Sequence, residues 1–313
     1  MRVRTGTTRL HREGSRVPKP THSPVIRTFF DRRTFSIQYV VADPQTRHCA
    51  IIDPVLDLDE KSGATATRSA DAILAYVREQ GLDLQWILDT HPHADHLSAA
   101  AYLKDKTGAP TAIGEKVVEV QKLWKRIYNL PERFPTDGSQ WDRLLADGET
   151  FRLGSLKAHV LFSPGHTLAS VTYVVGDAAF IHDTLFMPDS GTARADFPGG
   201  DAGQLWRSIQ RILLLPDGTR LFTGHDYMPG GRPAAWESTI VQQKEENIHL
   251  RQAATEKAFV ALRKAQDAEL PMPRLILHSL QVNINGGRLP EPESNGKCYL
   301  KLPLNALDGV AWE

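Results

Sequence analysis

The chain is poor in cysteine. Only Cys49 and Cys298 occur among 313 residues. A disulfide framework is therefore excluded as the organiser of the fold, and a reducing cytoplasm suits the composition. Each thiol reads as a small buried hydrophobe or an idle group, although one bridge between them stays open. There is also no apolar run long enough to span a bilayer. Net charge is absent too: 37 Lys and Arg stand against 37 Asp and Glu. A general affinity for nucleic acid or for an anionic membrane is not expected from such a balance. What remains is ordinary for a soluble globular protein, 41% apolar and 24% charged. No internal repeat and no clean boundary divides the chain, so a single domain is expected over residues 25–313.

The first 24 residues differ from the rest. They hold six Arg or Lys and one Glu, a net of +5, which leaves −5 for the remainder. They are also short of large apolar side chains, so a disordered basic extension is expected at residues 1–24. An Arg/Ser/Thr-rich, acid-poor start is the second reading, a transit peptide that would move the protein from the cytoplasm to an organelle matrix.

Beyond it, β-type and helical patterns follow one another. "FSIQYVVAD" and "HCAIIDPV" read as strands around the turn "DPQT". "SADAILAYVREQG" reads as a helix with Ser69 as its cap, Ala70, Ile73, Leu74 and Val77 on one face, and Gly81 at its stop. "LQWILDT" reads as a buried strand, and "LSAAAYLKDKTG" as a helix closed by Gly108. "EKVVEVQKLWKRIYNL" and "LWRSIQRILLLPDG" are helical in pattern. "QQKEENIHLRQAATEKAFVALRKAQ" reads as one longer helix with Leu250, Ala254, Ala258 and Leu262 along a face. Its basic residues Arg251, Lys257, Arg263 and Lys264 read as solvated surface. The tail from Leu275 is loop-rich, with no core of its own.

Chemistry concentrates at the ends of the strands. "THPHADH" places His91, His93, Asp95 and His96 within seven residues, directly after an apolar run. Imidazoles and carboxylates crowd in this way around a metal cation. Three further apolar runs end alike: "LFSPGHT" in His166, "AAFIHDT" in His182 and Asp183, and "LFTGHDY" in His225, Asp226 and Tyr227. One such ending is ordinary, but four in one chain point to convergence on one site at the carboxyl ends of strands.

These motifs resemble the metallo-β-lactamase superfamily. "THPHADH" is similar to its HxHxDH signature, and His166, Asp183 and His225 fall in its remaining ligand motifs in order. The resemblance implies a four-layer αβ/βα sandwich, two β-sheets face to face with helices outside. The stretch after Asp183, "TLFMPDSGTARADFPGGDA", resembles the persulfide dioxygenase branch rather than glyoxalase II, and "NGKCYLKLP" in the tail does so less specifically. That branch implies one iron(II) per chain held by His91, His166 and Asp183. Two imidazoles and a carboxylate with open positions are also the donor set of non-haem iron oxygenases. His93, Asp95, His96 and His225 would then surround the ion, with Asp53 as a contact at the floor of the site. Arg194 would meet the carboxylates of glutathione, or else pair with Asp196. Tyr227 would bond the thiol substrate, or else pack. The substrates implied are glutathione persulfide and O₂, and the assembly implied is a homodimer.

Because the complete donor set is present, a dinuclear zinc hydroxyacylglutathione hydrolase remains the alternative. Asp95, His96 and His225 would then share a second zinc, and His93 would complete the first site. A nucleic-acid-processing member fits poorly with zero net charge. A non-catalytic sensor fits poorly with a full ligand set.

Overall fold

The computed structural model describes residues 23–307. The basic extension therefore lies outside the described residues, apart from its last two positions. The first half runs β1 (Val25–Phe30), β2 (Ile37–Ala42), β3 (His48–Ile52), β4 (Val55–Asp59), β5 (Ala64–Ala66), α1 (Arg68–Glu79), β6 (Asp83–Leu88), β7 (Leu97–Ser98), α2 (Ala100–Thr107), β8 (Thr111–Gly114), α3 (Val117–Ile127) and β9 (Arg143–Leu145). The second runs β10 (Thr150–Leu153), β11 (Leu156–Phe162), β12 (Val171–Val175), β13 (Ala178–His182), α4 (Ala202–Ile212), β14 (Arg220–Thr223), β15 (Glu237–Thr239), α5 (Ile240–Glu246), α6 (Ile248–Gln252), α7 (Glu256–Asp267) and α8 (Ile276–Asn283). A single 3₁₀ turn sits between β14 and β15.

Two six-stranded sheets result, ordered β1-β2-β3-β6-β8-β9 and β10-β11-β12-β13-β14-β15, with a small β5-β4-β7 sheet beside them. β3, β6, β8 and β9 pair in parallel. In the second sheet only β13 and β14 do. The pattern of β2 shows why the sheets stack. Ile37, Tyr39 and Val41 point into the core between the sheets, where they meet Phe151, Tyr173, Phe180 and Phe222. Val40 and Ala42 point the other way, into a layer shared with Ile73 and Val77 of α1 and Leu103 of α2. A strand covered on both faces is apolar at nearly every position, as β2 is. The Tyr39 hydroxyl donates to the Thr223 carbonyl at 2.5 Å and so ties the two sheets directly. On the far side α4 and α7 pack on the second sheet through Leu205, Ile209 and Phe259. The four-layer αβ/βα sandwich is the architecture observed.

Three local expectations are corrected. Ser69 does not cap α1. Thr67 holds that position, while the Ser69 hydroxyl and amide both go to the Asp57 carboxylate. The long helix is three helices. Asn247 takes an extended conformation and its carboxamide oxygen accepts from the amides of His249 and Leu250, which starts α6 afresh. Thr255 likewise caps α7 by accepting from Ala258. Each restart resets the helical phase, so Ala254 and Ala258 are exposed and Arg263 is buried. The tail, finally, contains α8, whose Ile276 and Leu280 pack with Val120 and Trp124 of α3. Cys49 is a buried free thiol and Cys298 an exposed one. Among the described residues no helix is long and apolar enough to cross a membrane.

Candidate metal centre

The ends of β6, β11, β13 and β14 converge on one buried cluster. β6 delivers the loop that carries His91, His93, Asp95 and His96. The turn after β11 carries His166, and β13 and β14 end at Asp183 and His225. Three of the histidines are almost without solvent exposure, His91 at 0%, His96 at 1% and His225 at 1%. Glycines permit the approach. A Cβ at Gly224 would stand 2.5 Å from Asp183 Oδ1, and one at Gly165 would stand 2.3 Å from the backbone of Leu205 in α4. Asp53 and His182 both adopt positive φ, 52° and 39°, beside this cluster. Such conformations cost free energy in a non-glycine residue and gather at functional sites.

His91, His166 and Asp183 form one group whose ligand atoms all lie within 4.8 Å of one another. His91 Nε2 is 3.8 Å from Asp183 Oδ2, and His166 Nε2 is 3.6 Å from the same oxygen. Two bonds of about 2.1 Å meeting at a metal require separations of about 3–3.5 Å, so a small contraction suffices. The tautomers suit ligation. His166 Nδ1–H donates to the Arg194 carbonyl at 2.9 Å, which leaves the Nε2 lone pair free. His91 Nδ1 contacts the Thr90 hydroxyl at 3.1 Å, and its Nε2 is buried with no hydrogen-bond partner. An orphaned buried nitrogen costs about 1–3 kcal/mol, and a cation would satisfy it. Burial, followed by the neighbouring imidazoles, holds His91 well below the usual histidine range, so it is neutral and able to ligate. These residues fit a metal.

The remaining donors are engaged differently. His225 lies between two carboxylates, with Nδ1 2.6 Å from Asp183 Oδ1 and Nε2 2.6 Å from Asp95 Oδ2. Burial opposes its charge, but the two carboxylates outweigh it and raise the imidazole well above its usual range. The Ser36 hydroxyl also donates to Asp95, at 2.8 Å. Asp53 accepts from the Thr90 amide at 2.7 Å and the Thr90 hydroxyl at 2.8 Å, and lies 3.0 Å from His93 Nε2. His93 Nδ1 is buried without a partner. His93, Asp95 and His96 form a second candidate group, and Asp95, Asp183 and His225 a third. His182 is not among these groups. It meets the hydroxyls of Ser163 and Thr184 at 2.9 and 3.0 Å.

A cavity of about 1100 Å³ opens over the cluster. His166, Asp183 and His225 form its floor, and Phe186, Phe197, Leu270 and Met272 are among its walls. Arg194 lines it but is already committed. Its guanidinium grips Asp196 through two bonds, 2.6 and 2.7 Å, and donates to the carbonyls of Pro271 and Leu270. Tyr227 lines it with its ring stacked on His225, centroids 5.7 Å apart and planes 6° from parallel. Arg263, taken for solvated surface from the sequence, is a buried wall residue paired with Asp267 at 2.9 Å.

Two residues of the centre escaped the sequence reading. Asp89, at the end of β6, accepts from Ser98 at 2.9 Å and from the Trp141 indole at 3.3 Å. Burial pushes its carboxyl up to about 6. Asn283, at the end of α8, reaches the loop of candidate metal ligands from 190 residues away. Asp89 stood at a strand end like the other acids. Asn283 had no local signal.

Residues 32–225 match the family model described as Metallo-beta-lactamase superfamily. The chain is 69% identical over 290 residues to a "Beta-lactamase hydrolase-like protein" of Xylella fastidiosa strain Temecula1, covering 93% of this chain and 67% of that protein. It is 47% identical to "Glyoxylase B2" of Dictyostelium discoideum over 284 residues, 90% of this chain and 97% of the relative. Human "Persulfide dioxygenase ETHE1, mitochondrial" is more distant, 28% identical over 266 residues, 84% of this chain and 89% of the relative. The solved structure of ETHE1 from Myxococcus xanthus superposes with a TM-score of 0.67 at 29% identity, over 84% of this chain and all of that one.

Proposed function

The chain belongs to the metallo-beta-lactamase superfamily, and on that premise we propose that it is an iron(II)-dependent persulfide dioxygenase acting on glutathione persulfide. One glutathione persulfide, one O₂ and one water would give one glutathione, one sulfite and two protons. The terminal sulfur is oxidised and dioxygen reduced. The S–S bond breaks, and glutathione leaves as the thiol.

The observation that carries this reading is the way the donors divide. Both nitrogens of His225 are taken up by Asp95 and Asp183. Those groups satisfy one another. His91 Nε2 is left without a partner, and both it and His166 Nε2 face Asp183 Oδ2. The group of His91, His166 and Asp183 offers two imidazoles and one carboxylate, and it is the set we assign to the ion. Iron(II) held there would supply electrons and adjacent open positions for a sulfur and for O₂. The chain's own groups do the rest. His166 is oriented by the Arg194 carbonyl, and His225 keeps Asp183 ionised. The Phe186 and Phe197 rings line the cavity and would limit the approach of water to an ion held there. Arg33 and Arg274 stand on the same cavity lining, half-exposed and paired with Asp59 and Glu60, and would be the cations for the carboxylates of a tripeptide thiol. The residues 191–201, "GTARADFPGGD", support the same branch by their resemblance to it.

A dinuclear zinc thioester hydrolase is the second reading. It is favoured by the two further donor groups that include His93, Asp95, His96 and His225. Protein purified without oxygen should contain about one iron per chain and consume O₂ with glutathione persulfide, sulfite appearing mole for mole. Two zincs per chain, hydrolysis of S-lactoylglutathione and no O₂ uptake would replace the dioxygenase by the hydrolase.

A further inference from the structure

The loop from His91 to Ser98 carries four candidate donors on a backbone that has little secondary structure of its own. Its carbonyls need partners, because a buried carbonyl left unpaired is costly. One side chain supplies two of them. Asn283 Nδ2 donates to the carbonyl of His93 at 2.7 Å and to the carbonyl of His96 at 2.7 Å. Its Oδ1 accepts from the Ser98 amide, also at 2.7 Å. The orientation of the carboxamide is fixed by those partners, since carbonyls only accept and an amide N–H only donates. Asn283 is 2% exposed, so water does not compete.

We propose that Asn283 is the positioning residue of the metal centre, a clamp by which α8 sets the spacing of His93, His96 and Asp95 between them. A single NH₂ group holds the two carbonyls three residues apart, and the His93 and His96 rings lie with centroids 4.2 Å apart. The grip continues on both sides of Ser98. The Ser98 hydroxyl donates to Asp89 at 2.9 Å, which anchors the loop to the end of β6. The Ser98 carbonyl lies against Gly287, where a Cβ would come within 2.7 Å. α8 is itself immobilised by Ile276, Leu280 and Ile284 in the layer with α3. The chain after residue 275 thus completes the site although, among the described residues, it contributes none of the candidate donors.

No other side chain of this size fits the three partners. Aspartate keeps the shape but turns an oxygen toward two carbonyl oxygens. Alanine leaves two carbonyls and one amide without partners. The inference concerns how the loop is held, and it is the same whether the resident ion is iron or zinc.

The test uses Co(II) as the probe ion on the full chain. Asn283→Asp is compared with Leu280→Ala, which weakens the same helix through its packing face. Affinity is read by competition with a chelator, ligand geometry by the visible spectrum of bound Co(II), and fold by melting of the metal-free protein. Asn283→Asp should weaken Co(II) binding by roughly ten- to a hundredfold and alter the spectrum. Leu280→Ala should lower the melting temperature with affinity within about twofold and the spectrum unchanged. If Asn283→Asp does not fold, Asn283→Ser, which keeps one donor, is read by the same criteria. Native affinity and spectrum in a folded Asn283 variant would overturn the proposal. So would equal losses of affinity in both variants in proportion to their losses in melting temperature, which would make Asn283 merely structural.

Discussion

Asp43 offers a test of what joins the two sheets at the edge remote from the metal. It follows β2, and its carboxylate is a shared acceptor. Oδ1 takes the Gln45 amide at 2.9 Å, and Oδ2 takes the Thr46 hydroxyl at 2.7 Å. Oδ2 also takes the Ser155 amide at 2.6 Å and the Ser155 hydroxyl at 2.8 Å. Ser155 lies in the β10–β11 turn of the opposite sheet, so one carboxylate fastens two turns 112 residues apart. Gly154 makes room: its φ is +58°, and a Cβ there would fall 2.5 Å from Asp43 Oδ2. Burial pushes the carboxyl up, but the donated hydrogen bonds outweigh it and bring it down from 3.8 to about 2. A depression of that size corresponds to about 2 kcal/mol of stability. Because the folded value is the lower one, this stability is present in full above the unfolded pKa of about 4 and is lost as pH falls toward 2, with about half gone by pH 3.

Asp43→Asn removes the charge and sets an NH₂ against donors. It should cost about 2–3 kcal/mol at pH 7, a fall in melting temperature of roughly 4–10 °C for a domain of this size. Urea titrations of both proteins at pH 7, 4 and 3 check the origin of the loss. The difference between them should narrow by about 1 kcal/mol between pH 7 and pH 3, since only the native carboxylate titrates. A difference that stays constant over that range, or one below about 0.5 kcal/mol at pH 7, refutes the reasoning, because the four hydrogen bonds would then not be what stabilises the charge.

Two further outcomes concern the centre. Arg194→Ala should raise KM for the glutathione adduct by roughly tenfold and lower kcat less. Since the guanidinium is held by Asp196 and two carbonyls, Asp196→Ala should reproduce the change if Arg194 works by shaping the wall, and should leave KM unaltered if Arg194 meets substrate itself. His225→Ala should retain about one metal per chain with slower turnover. Metal analysis finding none would make His225 a ligand and favour the dinuclear arrangement.

The candidate ligand residues were legible because each is announced locally. A strand that is buried on both faces reads as an apolar run, and the polar residues at its end have few reasons to be there other than the site. Repetition of that signal at His91, His166, Asp183 and His225 gave convergence without any knowledge of pairing. α1, α2 and α4 were legible for a similar reason, since each presents one unbroken apolar face to a sheet. The helices after β15 were not. The reading carried one phase through Asn247 and Thr255, although Asn and Thr are N-cap residues and each begins a new helix. Had the phase been restarted at Thr255, Phe259, Arg263 and Asp267 would have fallen on the inward face at four-residue spacing. Even so, a buried Arg makes sense only once Asp267 is seen as its partner. Ser69 failed in the same way, because Asp57 competes for its hydroxyl more strongly than the helix end does.

Asn283 marks the limit of this kind of reading. Its neighbours, "QVNINGG", look like the end of a helix running into a loop, and an Asn there has an ordinary local use as a terminator. What makes it special is a pair of carbonyls that belong to His93 and His96, and backbone groups leave no trace in a sequence. A ligand advertises itself by its side chain. The residue that holds a ligand's backbone is chosen by a surface assembled from two distant segments, and only the folded chain brings the two together. The tail therefore read as loop-rich, with no core of its own, at the point where the loop depends on it most.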